Sequence, residues 1–151
     1  MKVLQALNLV NTRLGIILVY AAINIPLSLF LSYGFISTIP REIDEAAVID
    51  GCGPIRLFIK IILPLLKPII STLFVLNFMV VWNDFTMPLY YLNNSAKWPM
   101  TLAVYNFFGA FENSWNLVSA DIILTLLPVL IIFILGQKYI VGGVSAGSVK
   151  G

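Results

Sequence analysis

The sequence predicts an all-α integral membrane protein with about three transmembrane helices, and three observations carry that reading. Of 151 residues, 60% are hydrophobic and 11% charged, with a mean hydropathy of +0.97. Soluble domains are about 45–50% apolar and about 25% charged. Three apolar runs approach or exceed the about 20 residues that cross about 30 Å of hydrocarbon. The Lys and Arg residues gather between the first two runs rather than spreading along the chain.

The first run, Leu14 to Pro40, holds no charge. Asn24 and Pro26 interrupt it, and a kink is expected near its middle. Such a break is tolerated where neighbouring helices or water satisfy the freed backbone groups. The second runs from about Leu65 to Val81, holds no acidic residue and ends at Trp82-Asn83-Asp84. The third spans about Leu117 to Leu135 and closes with Lys138 and Tyr139. Asp121 lies near its outer end. An Asp at a helix centre costs about 2.5–3.5 kcal/mol on insertion scales, and each Leu, Ile, Phe or Val returns about 0.3–0.6. The run Ile122, Ile123, Leu124, Leu126 and Leu127 onward offsets one terminal Asp.

Positive charge sets the expected orientation. Arg41, Arg56, Lys60 and Lys67 lie between spans one and two, Lys97 alone between spans two and three, and Lys138 and Lys150 in the tail. The first loop (about 38–64) and the tail (about 138–151) are therefore expected in the cytoplasm, with the amino terminus outside. Lys2 and Arg13 run against that placement. One explanation is that further spans normally precede this segment.

Several chemistries lack a required residue. One cysteine and no histidine rule out a disulfide within the chain, a Cys/His zinc site and a Ser/His/Asp triad. Paired intramembrane carboxylates are absent, and so is the Gly-x-x-x-x-Gly-Lys-Ser/Thr phosphate loop. No catalytic residue, metal site or cofactor is expected. A net charge of +2 without like-charge runs gives no reason to expect nucleic acid as a partner. Cys52, between two glycines, reads as a small filler or, alternatively, a redox switch.

The loop between spans one and two carries the most information. In Ser37-Thr38-Ile39-Pro40-Arg41-Glu42, Thr38 is the expected N-cap, and Glu42, Asp44 and Glu45 suit a helix amino end. That helix passes through Ala46, Ala47, Val48 and Ile49 and stops at Gly51. Gly51-Cys52-Gly53-Pro54 is a turn. A second helix follows from about Pro54 to Leu63, with Ile55, Phe58, Ile59 and Ile62 on one face and Arg56 and Lys60 on another. Two short amphipathic helices bent at a glycine suit docking onto a partner or lying in the membrane interface. Ala46 and Ala47 favour docking, because small residues admit close approach.

The spacing Glu45-Ala46-Ala47, three residues, Gly51, nine residues, Ile61, one residue, then Leu63-Pro64 resembles the EAA loop of ABC-transporter permeases. Asn11-Thr12, Phe35-Ile36-Ser37-Thr38-Ile39-Pro40, Trp82-Asn83-Asp84-Phe85 and Pro88-Leu89 look like the carbohydrate-importing branch. The ending from Gly142 to Gly151 is similar to the tail of maltose-permease G-type subunits. The resemblance implies the MetI-like importer permease fold in one transmembrane domain, 1–151. Permeases of this type usually have six spans, so the chain corresponds to the last three.

The resemblance also implies a function: the translocation subunit of an ATP-driven importer of sugars or oligosaccharides in a bacterial-type inner membrane. Its partners would be an ATP-binding subunit dimer, a second permease subunit, an extracytoplasmic solute-binding protein, the sugar and the lipid bilayer. Glu45, Ala46, Ala47, Asp50, Gly51, Phe58, Ile61, Leu63 and Pro64 would dock on the ATPase. Ala146, Gly147, Val149, Lys150 and Gly151 would reach into the ATPase dimer as a thin flexible strand, where the residues alone suggest a frayed terminus. The alternative is a small channel or assembly subunit with no ATPase partner.

Other polar residues are candidates for lining the pathway. Asp84 and Asn83 could do so, or Trp82 could anchor at the interface while the polar pair caps the helix end. Asn24 and Asn77 read as helix-to-helix hydrogen-bonding groups or as sugar contacts. Tyr90, Tyr91, Trp98, Tyr105, Phe107, Phe108, Phe111 and Trp115 read as interface anchors, sugar platforms or contacts for the binding protein. Met100 to Phe111 is expected to form a short outer helix.

Overall fold

A computed structural model describes residues 2–107 and 115–148, with 138–148 described by their backbone alone. Every regular element among the described residues is helical. Helix α1 (Lys2–Ala6) leads into α2 (Arg13–Ile36) through Asn8 and Asn11, both at positive φ. Asparagine reaches this left-handed region more readily than other non-glycine residues. Thr12 caps α2: its Oγ1 accepts the Gly15 N–H at 3.0 Å and donates to the Leu9 carbonyl at 2.7 Å. Any Cβ at Gly15 would fall on the Leu9 carbonyl oxygen, so this entry to α2 requires glycine.

With 24 residues, α2 is about 36 Å long at about 1.5 Å per residue, enough to cross a bilayer. It stays helical through Asn24 and Pro26. The expected interruption is a local loss: Pro26 has no N–H to donate, and Asn24 Nδ2 turns back to the Tyr20 carbonyl at 2.8 Å.

Thr38 does not cap the next helix. Its Oγ1 donates to Phe35 O at 2.7 Å and Ser37 Oγ donates to Gly34 O at 2.8 Å, so both hydroxyls close the carboxyl end of α2. Helix α3 (Glu42–Ile49) begins at Arg41 with no side-chain cap. Then come α4 (Pro54–Leu57), a π-helical turn (Phe58–Ile62) and α5 (Leu63–Leu65), followed by α6 (Lys67–Trp82). The arm Pro54–Leu65 meets α6 at 64°. Arg13–Ile36 and Trp115–Gln137 are the two helices among the described residues long and apolar enough to cross a membrane, whereas the expected second span is shared between that arm and the 16-residue α6, which reach such a length only as a bent pair.

Beyond α6 lie α7 (Thr86–Tyr91), a 3₁₀ turn (Ser95–Lys97), α8 (Met100–Ala103), a second 3₁₀ turn (Val104–Phe107) and α9 (Trp115–Ser148). The expected outer helix from Met100 is therefore a short α-helix that tightens into 3₁₀ by Phe107; Phe108 and Phe111 lie outside the described residues. The largest difference is at the carboxyl end. The expected flexible tail is α-helical through Ser148, continuing span three. No proline follows Pro128 to stop the helix, and propagation of a formed helix needs only one further bond per residue. Val149, Lys150 and Gly151 lie outside the described residues.

The chain divides into two compact units, residues 1–25 with 77–134 and residues 26–76 with 135–151. In the first, Leu4, Ile16, Leu92, Leu102 and Val118 are buried, as is Pro88. In the second, Ala47, Ile69, Thr72 and Val75 are buried. Most other large apolar side chains of α2 and of α9 up to residue 137 are exposed. That inverts a soluble protein's pattern and suits surfaces facing lipid or neighbouring helices.

In the second unit α6 and α9 approach closely at Gly136. A Cβ there would overlap Val75, whose branched side chain is stiff at χ1. Gly136→Val should destabilise the protein by about 1–3 kcal/mol through overpacking, despite valine's better helix propensity. Adding Val75→Ala should recover most of that loss in a denaturation series in detergent. Unchanged stability of the single variant would remove this contact from the packing account.

Candidate functional site

The loop turns at Gly51, whose φ is 75°. The Gly51 N–H donates to Val48 O at 3.0 Å and the Cys52 N–H to Ala47 O at 2.9 Å. This pair of reversed bonds is the Schellman ending, which satisfies carbonyls that a helix otherwise leaves open. Gly51 supplies the left-handed residue, and Cys52 occupies the next position, half-buried, as a small residue completing the turn.

Around the turn, the candidate docking residues separate by exposure. Glu45, Ala46, Asp50 and Gly51 are exposed, whereas Ala47 is 4% exposed. Ala46 therefore offers a small residue outward, while Ala47 is used inside the loop. Asp44, one turn before Val48, has one carboxylate oxygen enclosed without a hydrogen-bond donor among the described residues. It sits in the first turn of α3, where the helix dipole favours negative charge.

The second arm faces differently from its expected wheel. Ile55, Phe58 and Ile59 are exposed, at 76%, 52% and 55%, while Leu57, Ile61 and Ile62 are half-buried. Leu63 and Pro64 are exposed. The regular 3.6-residue period groups Ile62 with Ile55, Phe58 and Ile59. The π turn, in which the Leu63 N–H reaches back five residues to Phe58 O, shifts Ile62 onto the side of Leu57 and Ile61. Val48 and Ile49 are also exposed, at 62% and 85%. The loop thus presents large apolar side chains on both arms together with the carboxylates of Glu45 and Asp50.

A second cluster forms around Asp84, in the first unit. Its Oδ2 accepts the Tyr20 hydroxyl at 2.9 Å. Its Oδ1 accepts the Thr86 N–H at 2.8 Å and the Met87 N–H at 3.3 Å, and its carbonyl accepts Thr101 Oγ1 at 3.2 Å. Asp84 therefore caps the amino end of α7, satisfying donors that a helix start leaves open, and ties α2 to the start of α8's turn. Asn83 is exposed and its amide donates to Met79 O at 2.8 Å. Asn24 also bonds its own helix rather than a neighbouring one. Asn77 is half-buried on α6. Of the four pathway candidates, Asp84 is seen to join groups from several elements.

Trp82 is not simply an interface anchor. It is half-buried, stacks on Phe78 with ring centroids 5.3 Å apart, and donates Nε1–H to Thr125 O at 3.0 Å. Thr125 follows Leu124, the residue whose carbonyl loses its helical donor at Pro128.

Asn11, before α2, has a role that the sequence reading did not assign. Its Oδ1 accepts the Asn93 N–H at 3.0 Å and the Asn94 N–H at 3.3 Å, and its carbonyl accepts Lys97 Nζ. The segment preceding span one and the loop following span two therefore meet. An asparagine immediately before a capping threonine was the available signal.

With this geometry in view, comparison with known proteins is decisive at the level of family. The profile of the family described as "Binding-protein-dependent transport system inner membrane component" matches residues 3–145. The chain belongs to that family. Among its relatives, the melibiose/raffinose/stachyose import permease protein MelC of Bacillus subtilis (strain 168) is 40% identical over 144 residues, covering 95% of this chain and 52% of that protein. The probable starch degradation products transport system permease protein AmyC of Thermoanaerobacterium thermosulfurigenes is 40% identical over 139 residues, covering 92% of this chain and 51% of AmyC. The multiple sugar-binding transport system permease protein MsmG of Streptococcus mutans serotype c (strain ATCC 700610 / UA159) is 38% identical over 138 residues, covering 90% and 50%. The chain spans about half the length of these curated relatives.

Proposed function

We propose that this chain is part of the translocation subunit of an ATP-driven importer of sugars or oligosaccharides in a bacterial-type inner membrane. Its 38–64 loop docks on a separate ATP-binding subunit. The observation that carries the reading is the loop: an exposed Glu45-Ala46 edge held beside a glycine turn at φ 75°, with large apolar groups exposed on both arms. An exposed apolar patch rimmed by charge is the mark of an interaction surface. Family membership and the sugar-transport names of its relatives support the importer reading.

The loop is the mechanical link. ATP binding brings two ATP-binding subunits together, the docked arms follow, and the spans change between inward- and outward-open arrangements. Such coupling needs two discrete states that both partners bias. A second permease subunit and an extracytoplasmic solute-binding protein complete the assembly. Ala146, Gly147, Val149, Lys150 and Gly151 contact the ATPase dimer. Asn24, Asn77, Asn83 and Asp84 remain the candidates for the pathway wall, and Asp84 acts there by fixing Tyr20 rather than by meeting solute with a free carboxylate.

Recovery of the ATP-binding subunit with the tagged permease from solubilised membranes is the test of docking. No ATP-binding subunit in the purified fraction favours the channel or assembly-subunit reading.

The same reading places the loop and the carboxyl terminus in the cytoplasm. The contacts of Asn11 with Asn93, Asn94 and Lys97 support it, because they keep the start of span one with the lysine-poor loop. Cys52, the single cysteine, should escape an impermeant maleimide in intact cells and react after permeabilisation. Efficient labelling in intact cells reverses the orientation.

A further inference from the structure

We infer that the junction built on Pro64, Leu66 and Pro68 is a hinge on which the arm Pro54–Leu65 pivots against α6. Prolines four residues apart lie on one side of a helix and each lacks an N–H. The carbonyls of Lys60 and Pro64 therefore lose their usual donors on that same side. The Pro64 carbonyl accepts instead at the carboxyl cap of α5. Just upstream, the chain has widened into the π turn of Phe58–Ile62, so Leu63 bonds five residues back to Phe58. Single π turns recur at functional positions in helices.

Between the two prolines, Leu66 has φ −79° and ψ −7°, at the sparsely occupied edge of the helical region. The helix bends by 64° there. Prolines and π turns are the usual causes of sharp bends, and both are present. Leu66 N–H to Ile62 O lies on the arm side of the Leu66 Cα and Ile70 N–H to Leu66 O on the α6 side, both 3.0 Å, so neither bond crosses the pivot. A modest rotation about the Leu66 backbone can therefore swing the arm without breaking those bonds. On an arm of about 18 Å, a turn of about 15° carries Pro54 through about 5 Å. A few residues that absorb a backbone change between packed elements are the structural definition of a hinge.

Use of the hinge in transport coupling rests on the docking reading; the pivot itself does not. The test is therefore made on the full chain alone, in phosphatidylcholine/phosphatidylglycerol nanodiscs. Spin labels are placed on Cys52, which is native, and on Phe74→Cys in α6. Double electron–electron resonance should give a broad distance distribution. Pro64→Ala with Pro68→Ala should narrow it about two-fold and shift its mean, because both N–H donors return. Pro68→Ala alone should narrow it less, and Leu66→Gly should broaden it. An unchanged width and mean in Pro68→Ala and in Leu66→Gly overturns the hinge, whether or not the double variant inserts. Loss or retention of ATPase binding does not enter these distances, so failure of docking and failure of the hinge are separate results.

Discussion

Gly51→Pro should abolish recovery of the ATP-binding subunit while leaving membrane insertion intact. Gly51 holds φ at 75° and donates its N–H to Val48 O. Proline fixes φ near −65° and has no N–H, so the substitution cannot form this turn. The two arms then leave one another at a different angle, and the exposed Glu45-Ala46 edge loses its register with Ile55 and Phe58. Gly51→Ala is the milder control: an L residue in the left-handed region costs about 1–2 kcal/mol, which weakens the turn without forbidding it.

Glu45→Lys asks the same question through charge. It reverses one exposed charge in the first turn of α3, for a helix-stability cost of only about 0.3–1 kcal/mol. Complete loss of ATPase binding in that variant would therefore report a lost contact, not a melted helix. Undiminished recovery of the ATPase with both Gly51→Pro and Glu45→Lys would refute the docking role of this loop.

Asp84→Ala should destabilise the other unit by about 2–4 kcal/mol. One carboxylate accepts the Tyr20 hydroxyl and the Thr86 and Met87 amides, and hydrogen bonds to a charged group contribute about 1.5–3 kcal/mol each, with added cost where a buried donor is left unpaired. Tyr20→Phe removes one of these bonds and should cost about 1.5 kcal/mol, the low end of that range. Asp84→Asn keeps an amide oxygen for α7 and should fall between them. A double-mutant cycle with Tyr20→Phe should show coupling above about 0.5 kcal/mol, the scatter expected of independent sites. Additive losses in detergent unfolding would mean that Tyr20 and Asp84 do not act as a pair.

The membrane class, the first and third spans and the glycine turn were legible in the sequence because each depends on local or periodic information. An uncharged run such as Leu14 to Pro40 can only be comfortable in hydrocarbon. A glycine two residues past a short helix can only end it one way at low cost. Family membership was legible for a related reason: Glu45, Gly51 and Pro64 occupy fixed offsets along one chain.

Tertiary structure decided the rest. Asp84 and Tyr20 are 64 residues apart in sequence, and Trp82 reaches Thr125 across a separation of 43. No periodicity encodes such pairs, because any suitably placed acceptor would serve. Thr38 shows the same ambiguity at short range: a threonine between two helices can close the first or cap the second, and the backbone it meets chooses. The arm from Pro54 to Leu65 is the clearest case. Its composition fixed an amphipathic helix, but one π turn before Pro64 changed which side chains face outward, since a residue's face depends on the residues per turn and not on its identity. The carboxyl segment followed the converse rule. Its glycines suggested a loose strand, yet the backbone from Trp115 continues its ladder to Ser148, because extending an existing helix is far easier than starting one.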